Sequence, residues 1–310
     1  MKSFFLSCLV LLTVACYAQT DVKNCKKCMV IAEQSQNRII IIDAATSNIL
    51  WEWKAAESNV KPEHVKWFNT PSEAKVVYDG QYVLTNASGG GVALIRIADK
   101  KAVFYAYAGG NTHSAELLPD GNIVSASSTG NYLMLFKTDT LNFPEQVYTK
   151  KIYITFGHNV VWDKRRQKLW SAGRDSMVVY RYNNNCQQPD LIAERSFPIP
   201  GHDAHDLFPV YGSKNKLWMT VGSNVYQFDV NTLKFEQAAV IQQDIKSVSS
   251  GPEGYPTIVI KPKEQWWTDE VLDAEGKHVA GHAGWKMYKA RWVLPNEFAY
   301  PEKQQIKLCK

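Results

Sequence analysis

The chain has 310 residues, 45% of them hydrophobic and 12% aromatic, enough to bury the core of one large domain or of two ordinary ones. Its net charge of +5 is mild and scattered along the chain, which argues against a nucleic-acid partner. Past the N-terminus no segment is long and apolar enough to read as a transmembrane helix.

Residues 1–18 carry one lysine, an apolar run over 4–14 and a small-residue exit at Cys16-Tyr17-Ala18. This is the pattern of a cleaved secretory signal, with cleavage after Ala18, leaving 19–310 as a single domain in a secreted or periplasmic protein. The competing reading takes Thr13-Val14-Ala15-Cys16 as a lipobox, with Cys16 as the lipid anchor of an outer-membrane lipoprotein. Cys25, Cys28, Cys186 and Cys309 remain in the mature chain, an even number that suits an oxidising compartment and permits three pairings that the sequence does not rank. Cys25-Lys26-Lys27-Cys28 lacks the histidine of a haem site and the second Cys pair of a structural zinc site. It reads as a structural disulfide or as free thiols.

In chain order, residues 29–34, 38–43 and 49–53 give three strands, followed by a linker holding Pro62 and His64. A four-strand module then runs over 72–78, 81–85, 92–97 and 102–107, in which Gly89-Gly90-Gly91 reads as a flexible turn rather than a phosphate cradle. The next module is the clearest. Its runs 113–118, 122–126, 132–136 and 146–154 are separated by Pro119-Asp120-Gly121 and by 127–131. Further modules occupy 159–162, 168–172, 177–182 and 192–197; 206–210, 216–221, 224–229 and 235–241; and 245–249, 257–261, 266–272 and 277–280. One strand, 285–293, is left before a polar tail.

The corresponding first-strand positions Ser72, His113, His158, His205, Lys246 and Met287 are 41, 45, 47, 41 and 41 residues apart. A period of that size marks repeated four-strand units. The expected fold is therefore all-β, a six-bladed β-propeller whose first blade is closed by three N-terminal strands plus one C-terminal strand. Closure of this kind removes the open edges that a string of meanders would expose. A β-sandwich or a pair of all-β domains is the alternative, but no linker-like change of composition divides the chain.

First strands line the channel of a propeller, so His113, His158 and His205 are expected to converge at one mouth of its axis. His202, Asp206, Lys246, His282 and Arg174 complete the candidate ligand-binding set, with Asp203 as a further carboxylate. Neutral imidazoles beside a carboxylate suit a divalent metal, for which His113, His158 and His205 are the candidate ligands. Without a metal, the same ring of His, Lys246, Arg174 and Asp206 suits an anionic sugar or another small polar molecule. As a third reading, the histidines cap the crossing from loop to strand. Trp67 and Phe68, in the linker with His64, are candidates for stacking on a sugar ring, while most other tryptophans fall in strand patterns and suit packing between blades. The chain has no Gly-x-Ser-x-Gly elbow, phosphate-binding loop or His-Glu-x-x-His motif.

The segments His-Ser-Ala-Glu-Leu-Leu-Pro-Asp-Gly-Asn-Ile-Val (113–124), Gly-His-Asn-Val-Val-Trp-Asp (157–163) and His-Asp-Ala-His-Asp-Leu (202–207) resemble an uncharacterised secreted six-bladed β-propeller family of Bacteroidetes, over essentially the whole mature chain. The first-strand motif is also similar to that of arylsulfotransferase and quinoprotein-like propellers, and the axial histidines loosely resemble those of metal-binding oligogalacturonate lyases. These likenesses imply the fold, since fold alone does not carry function. The expected function is binding of a small-molecule or carbohydrate ligand at the axial mouth, with a metal-assisted carbohydrate lyase or hydrolase and a protein-interaction scaffold as alternatives.

Overall fold

The computed structural model describes residues 22, 25–241, 243–307 and 309. The leader at 1–18 and the candidate anchor Cys16 lie outside these residues. Six four-stranded antiparallel sheets form a ring, each running outward from the axis. The first is β24-β1-β2-β3, with β1 (Cys28–Glu33), β2 (Arg38–Asp43), β3 (Ile49–Lys54) and β24 (Met287–Trp292). The second holds β4 (Pro71–Val77), β5 (Tyr82–Ala87), β6 (Gly91–Arg96) and β7 (Ala102–Tyr107), and the third β8 (Thr112–Leu117), β9 (Ile123–Ser127), β10 (Tyr132–Phe136) and β11 (Thr149–Tyr153). The fourth contains β12 (Val161–Asp163), β13 (Lys168–Ala172), β14 (Ser176–Tyr182) and β15 (Leu191–Pro198). The fifth contains β16 (Asp206–Pro209), β17 (Lys216–Thr220), β18 (Val225–Asp229) and β19 (Lys234–Gln237). The sixth contains β20 (Ser247–Ser249), β21 (Ile258–Ile260), β22 (Glu270–Asp273) and β23 (His278–Gly281).

The fold is thus a six-bladed β-propeller, closed by the C-terminal strand as the sequence implies. β24 becomes the innermost strand of the first blade, pairing Met29 with Trp292 and Ile31 with Ala290. β1 is buried throughout, and so are the four isoleucines 39–42 of β2 beside it. Each buried valine, isoleucine or methionine here contributes roughly 1.5–3 kcal/mol on leaving water, so apolar burial holds the two ends of the chain together. Seven tryptophans (51, 53, 162, 170, 218, 285 and 292) are buried, the packing role their strand pattern implies. Trp51 lies between the first two blades and donates its indole N–H to the Ile97 carbonyl at 3.0 Å.

Three local features differ from the sequence reading. The linker with Pro62 and His64 is a 3-10 helix, Pro62–Phe68. The run expected at 266–272 begins as a strand only at Glu270, leaving Trp266 47% exposed in the preceding loop. Gly89-Gly90-Gly91 is a close-packed turn rather than a flexible one. A Cβ on Gly89 would sit 2.6 Å from the Lys66 carbonyl oxygen, and one on Gly91 would sit 2.8 Å from that of Trp67.

The polar tail is a strap. Phe298 accepts a backbone hydrogen bond from Lys164 (3.2 Å), Gln304 bonds the Tyr78 amide (2.9 Å) and the Asp79 carboxylate (3.0 Å), and Lys307 reaches the Pro119 carbonyl (2.9 Å). Of the pairings left open by the sequence, the structure forms Cys25–Cys28 and Cys186–Cys309, the second of which latches the strap to the fourth blade. Beneath the strap lies a cavity of about 830 Å³, lined in part by Tyr78, Lys164, Arg165 and Tyr300. Among the described residues no helix is long and apolar enough to cross a membrane.

Candidate functional site

A recurring backbone device aims the axial side chains. Two residues before Ser72, His113, His158, His205 and Lys246 stand Thr70, Asn111, Phe156, Asp203 and Asp244, with φ of 55°, 60°, 53°, 56° and 58°. Each is a non-glycine residue in the left-handed region, a costly conformation that reverses the chain from the outer strand of one blade into the inner strand of the next. Ser72 and His113 then occupy bulges in the pairing of β4 with β5 and of β8 with β9. His158, His205 and Lys246 donate their backbone N–H groups to Ala172, Thr220 and Ile260 on the second strands of their blades. In the first blade the register ends differently. Met287 is buried in an apolar cluster, and Tyr288, one residue later than the spacing suggests, faces His113 at 5.4 Å between ring centroids.

The structure therefore brings together His113, His158, His205, Lys246 and Tyr288. The ring centroids of His113 and His158 are 4.5 Å apart, and those of His158 and His205 are 5.3 Å apart. His158 Nδ1 lies 3.0 Å from the Phe156 carbonyl oxygen, which can only accept, so that nitrogen carries the proton and Nε2 presents a lone pair. Among the described residues, the buried Nδ1 atoms of His113 and His205 have no hydrogen-bond partner. Burial is the main cause that lowers all three imidazole pKa values, and the positive charge of Lys246 and Lys289 adds to it. His158 falls to about 4, His205 to about 2, and His113 well below the usual range, so all three are neutral at pH 7. Lys246, 8% exposed, has its own pKa lowered by burial and forms no ion pair among the described residues.

One step deeper, the channel is filled by charge. Asp206 is fully buried, accepting hydrogen bonds from Arg291 (2.5 and 2.7 Å), Lys289 (3.2 Å) and the Val248 amide (3.0 Å). Glu73 accepts from Arg291 (2.7 Å) and from the Ser114 hydroxyl (2.6 Å). Both carboxylates are buried, which would raise their pKa values, but Lys75, Lys289 and Arg291 hold Glu73, and Arg291 and Lys289 hold Asp206, below the usual range. Farther along, Lys75 joins Glu116 (3.3 Å), whose pKa is raised by burial and which also accepts the hydroxyl proton of Tyr300 from the strap. Glu116 stands three residues after His113 along β8, about 10 Å of rise, so the strap closes the end opposite the histidines.

Four sequence candidates lie elsewhere. Asp206 is turned into the ion network and is saturated, because β16 runs inward from His205. His202 is on the surface, its Nδ1 2.5 Å from the Asp175 carboxylate. His282 is exposed beside Trp285. Arg174 lies at the rim, its guanidinium 5.0 Å over the Phe156 ring that packs against His158. Glu73, Lys75, Glu116, Lys289, Arg291 and Tyr288 were missed. Their signal was available as charged residues at alternate positions of otherwise buried first strands, Glu73/Lys75 and Lys289/Arg291. Among the described residues no three His, Cys, Asp or Glu side chains are placed to hold a metal ion.

Residues 8–310 match the family of unknown function DUF6528. The chain belongs to that family. No curated protein matches it. Among solved structures, this chain is similar to a protein of unknown function from Bacteroides caccae, with a TM-score of 0.59 and 13% identity over 86% of this chain and 98% of that one. It is also similar to the β-propeller domain of Cps50 (Swd1) from Myceliophteria thermophila, with a TM-score of 0.54 and 12% identity over 83% of this chain and 86% of that one. Identities this low show a shared fold.

Proposed function

We propose that this DUF6528 protein binds a small anionic ligand, a carboxylate-bearing sugar, at the axial mouth formed by His113, His158, His205 and Lys246. The observation that carries the reading is a largely buried lysine, Lys246, that forms no ion pair among the described residues and is only partly balanced by Asp244 and Asp203, set beside the buried Nδ1 atoms of His113 and His205, which have no hydrogen-bond partner among the described residues. Buried polar groups left this way cost stability unless a ligand meets them. The carboxylates deeper in the axis are saturated by Lys75, Lys289 and Arg291, so among the described residues Lys246 is balanced only at longer range, by Asp244 and Asp203. The positive field that lowers the imidazole pKa values also opposes a dication, which favours an anion over the metal reading. An imidazole with a pKa of about 4 is a weak base at neutral pH, which favours binding over proton abstraction.

The test is thermal unfolding and calorimetry at pH 7 with galacturonate, glucuronate and their neutral parent sugars, with and without chelator. The uronates are expected to bind and to stabilise the fold by about 2.7 kcal/mol at a hundredfold excess over Kd. Lys246→Met is expected to remove this effect, and chelator to leave it unchanged. Equal binding of neutral sugars, undiminished binding by Lys246→Met, or loss with chelator would each overturn the proposal.

A further inference from the structure

The face that carries the histidines also carries an arc of aromatic rings that the axial site does not use. His64 stacks on Trp67 at 3.7 Å, and Trp67 lies 5.1 Å from Tyr107, which is 53% exposed although it ends a strand within the ring. A Cβ on Gly109 would meet Tyr107 and the Tyr132 hydroxyl, each at 3.2 Å, so these two rings flank one glycine. Tyr132 is the cross-strand partner of Tyr153, which is 75% exposed. The series Trp67, Tyr107, Tyr132, Tyr153 thus runs across the rims of the second and third blades. The loop 108–111 joins its centre to β8 and His113.

The arc is held in place. Gly90 lies so close under Tyr107 that a Cβ there would sit 2.6 Å from the ring, and Gly89 and Gly91 seat the backbone of Lys66 and Trp67. The Tyr132 hydroxyl donates to the Ala108 carbonyl at 2.7 Å. Hydrophobic packing alone would bury such rings. Here Tyr107 and Tyr153 stay exposed, while His64 covers a face of Trp67 and Lys151 lies over Tyr132, so the two exposed tyrosines are the rings free to stack on flat ligands with polar rims.

We propose that Tyr107 and Tyr153, backed by Trp67 and Tyr132, are the stacking subsites for the successive pyranose rings of an acidic oligosaccharide whose terminal carboxylate lies at the axial mouth. The inference rests on the axial reading for the position of that end. Lys151, 4.5 Å over the Tyr132 ring, supplies a cation beside the arc. A nucleic acid would stack as well, but it needs a cation for nearly every phosphate, and the weak scattered charge of the chain does not provide that.

The experiment is calorimetry of the full chain with galacturonate, its linear trisaccharide, maltotriose and an oligothymidylate. The acidic trisaccharide is expected to bind about tenfold more tightly than the monosaccharide, the effect of one added stacking contact of about 1.4 kcal/mol. Tyr107→Ala is expected to erase that gain and leave the monosaccharide affinity unchanged, with Tyr107→Phe retaining it. An acidic trisaccharide that binds no better than the monosaccharide, or equally well to Tyr107→Ala, overturns the arc and leaves the axial site standing. Tighter binding of the oligothymidylate also overturns it, and failure of wild-type protein to bind galacturonate at all refutes the axial reading itself.

Discussion

His158 ties the site to stability through pH. In the unfolded chain its imidazole takes up a proton near pH 6.5, whereas in the folded protein it does so near 4, because burial and the nearby lysines disfavour the cation. Acid therefore favours the unfolded state. The stabilisation is complete above about pH 6.5 and is lost progressively as the pH falls toward 4, at up to about 1.4 kcal/mol per pH unit. Between pH 7 and 5 the linkage integral gives about 2 kcal/mol for His158 alone. His205, lowered to about 2, acts in the same direction. Urea unfolding of wild type and His158→Gln at pH 7 and pH 5 isolates the first contribution. Wild type is expected to lose about 2 kcal/mol more than the variant over this interval. Losses that agree within about 0.5 kcal/mol would refute the claim that the imidazole is held neutral at the axis.

Two further predictions concern the channel and its closure. Arg291→Met leaves Asp206 and Glu73 buried beside one cation fewer and is expected to cost about 3–5 kcal/mol in urea unfolding, part of it regained on adding Asp206→Asn; a cost below about 1 kcal/mol would mean that Lys289 suffices. Gly121→Ala places a Cβ 2.2 Å from the Lys307 carbonyl oxygen at a φ of +90°, so a loss of about 1–3 kcal/mol and faster protease trimming of the strap are expected, and unchanged trimming would count against the strap contact.

The near-regular period of first-strand positions made the ring of six blades and its closure legible in the sequence. Alternating strands cannot bury their faces alone, and a return every 41–47 residues forces stacking around a centre. The same logic identified His113, His158, His205 and Lys246. It erred by one residue at β24, where the residue two before Met287, Trp285, is not left-handed and Tyr288 takes the place assigned to Met287. His202, only three residues from His205, shows the limit of local pattern: Asp203 between them reverses the chain and sends the two rings to different surroundings.

Repetition along the chain thus sufficed to specify strands, blades and which positions come to the axis, because period and turn chemistry are local properties. Which carboxylates are saturated, which lysine at the axis forms no ion pair among the described residues, how the cysteines pair and that the tail straps one end were decided only by the folded structure. Those outcomes depend on distances between residues far apart in sequence, such as Glu73 and Arg291, or Glu116 and Tyr300, whose charges and hydroxyls meet only when the ring closes.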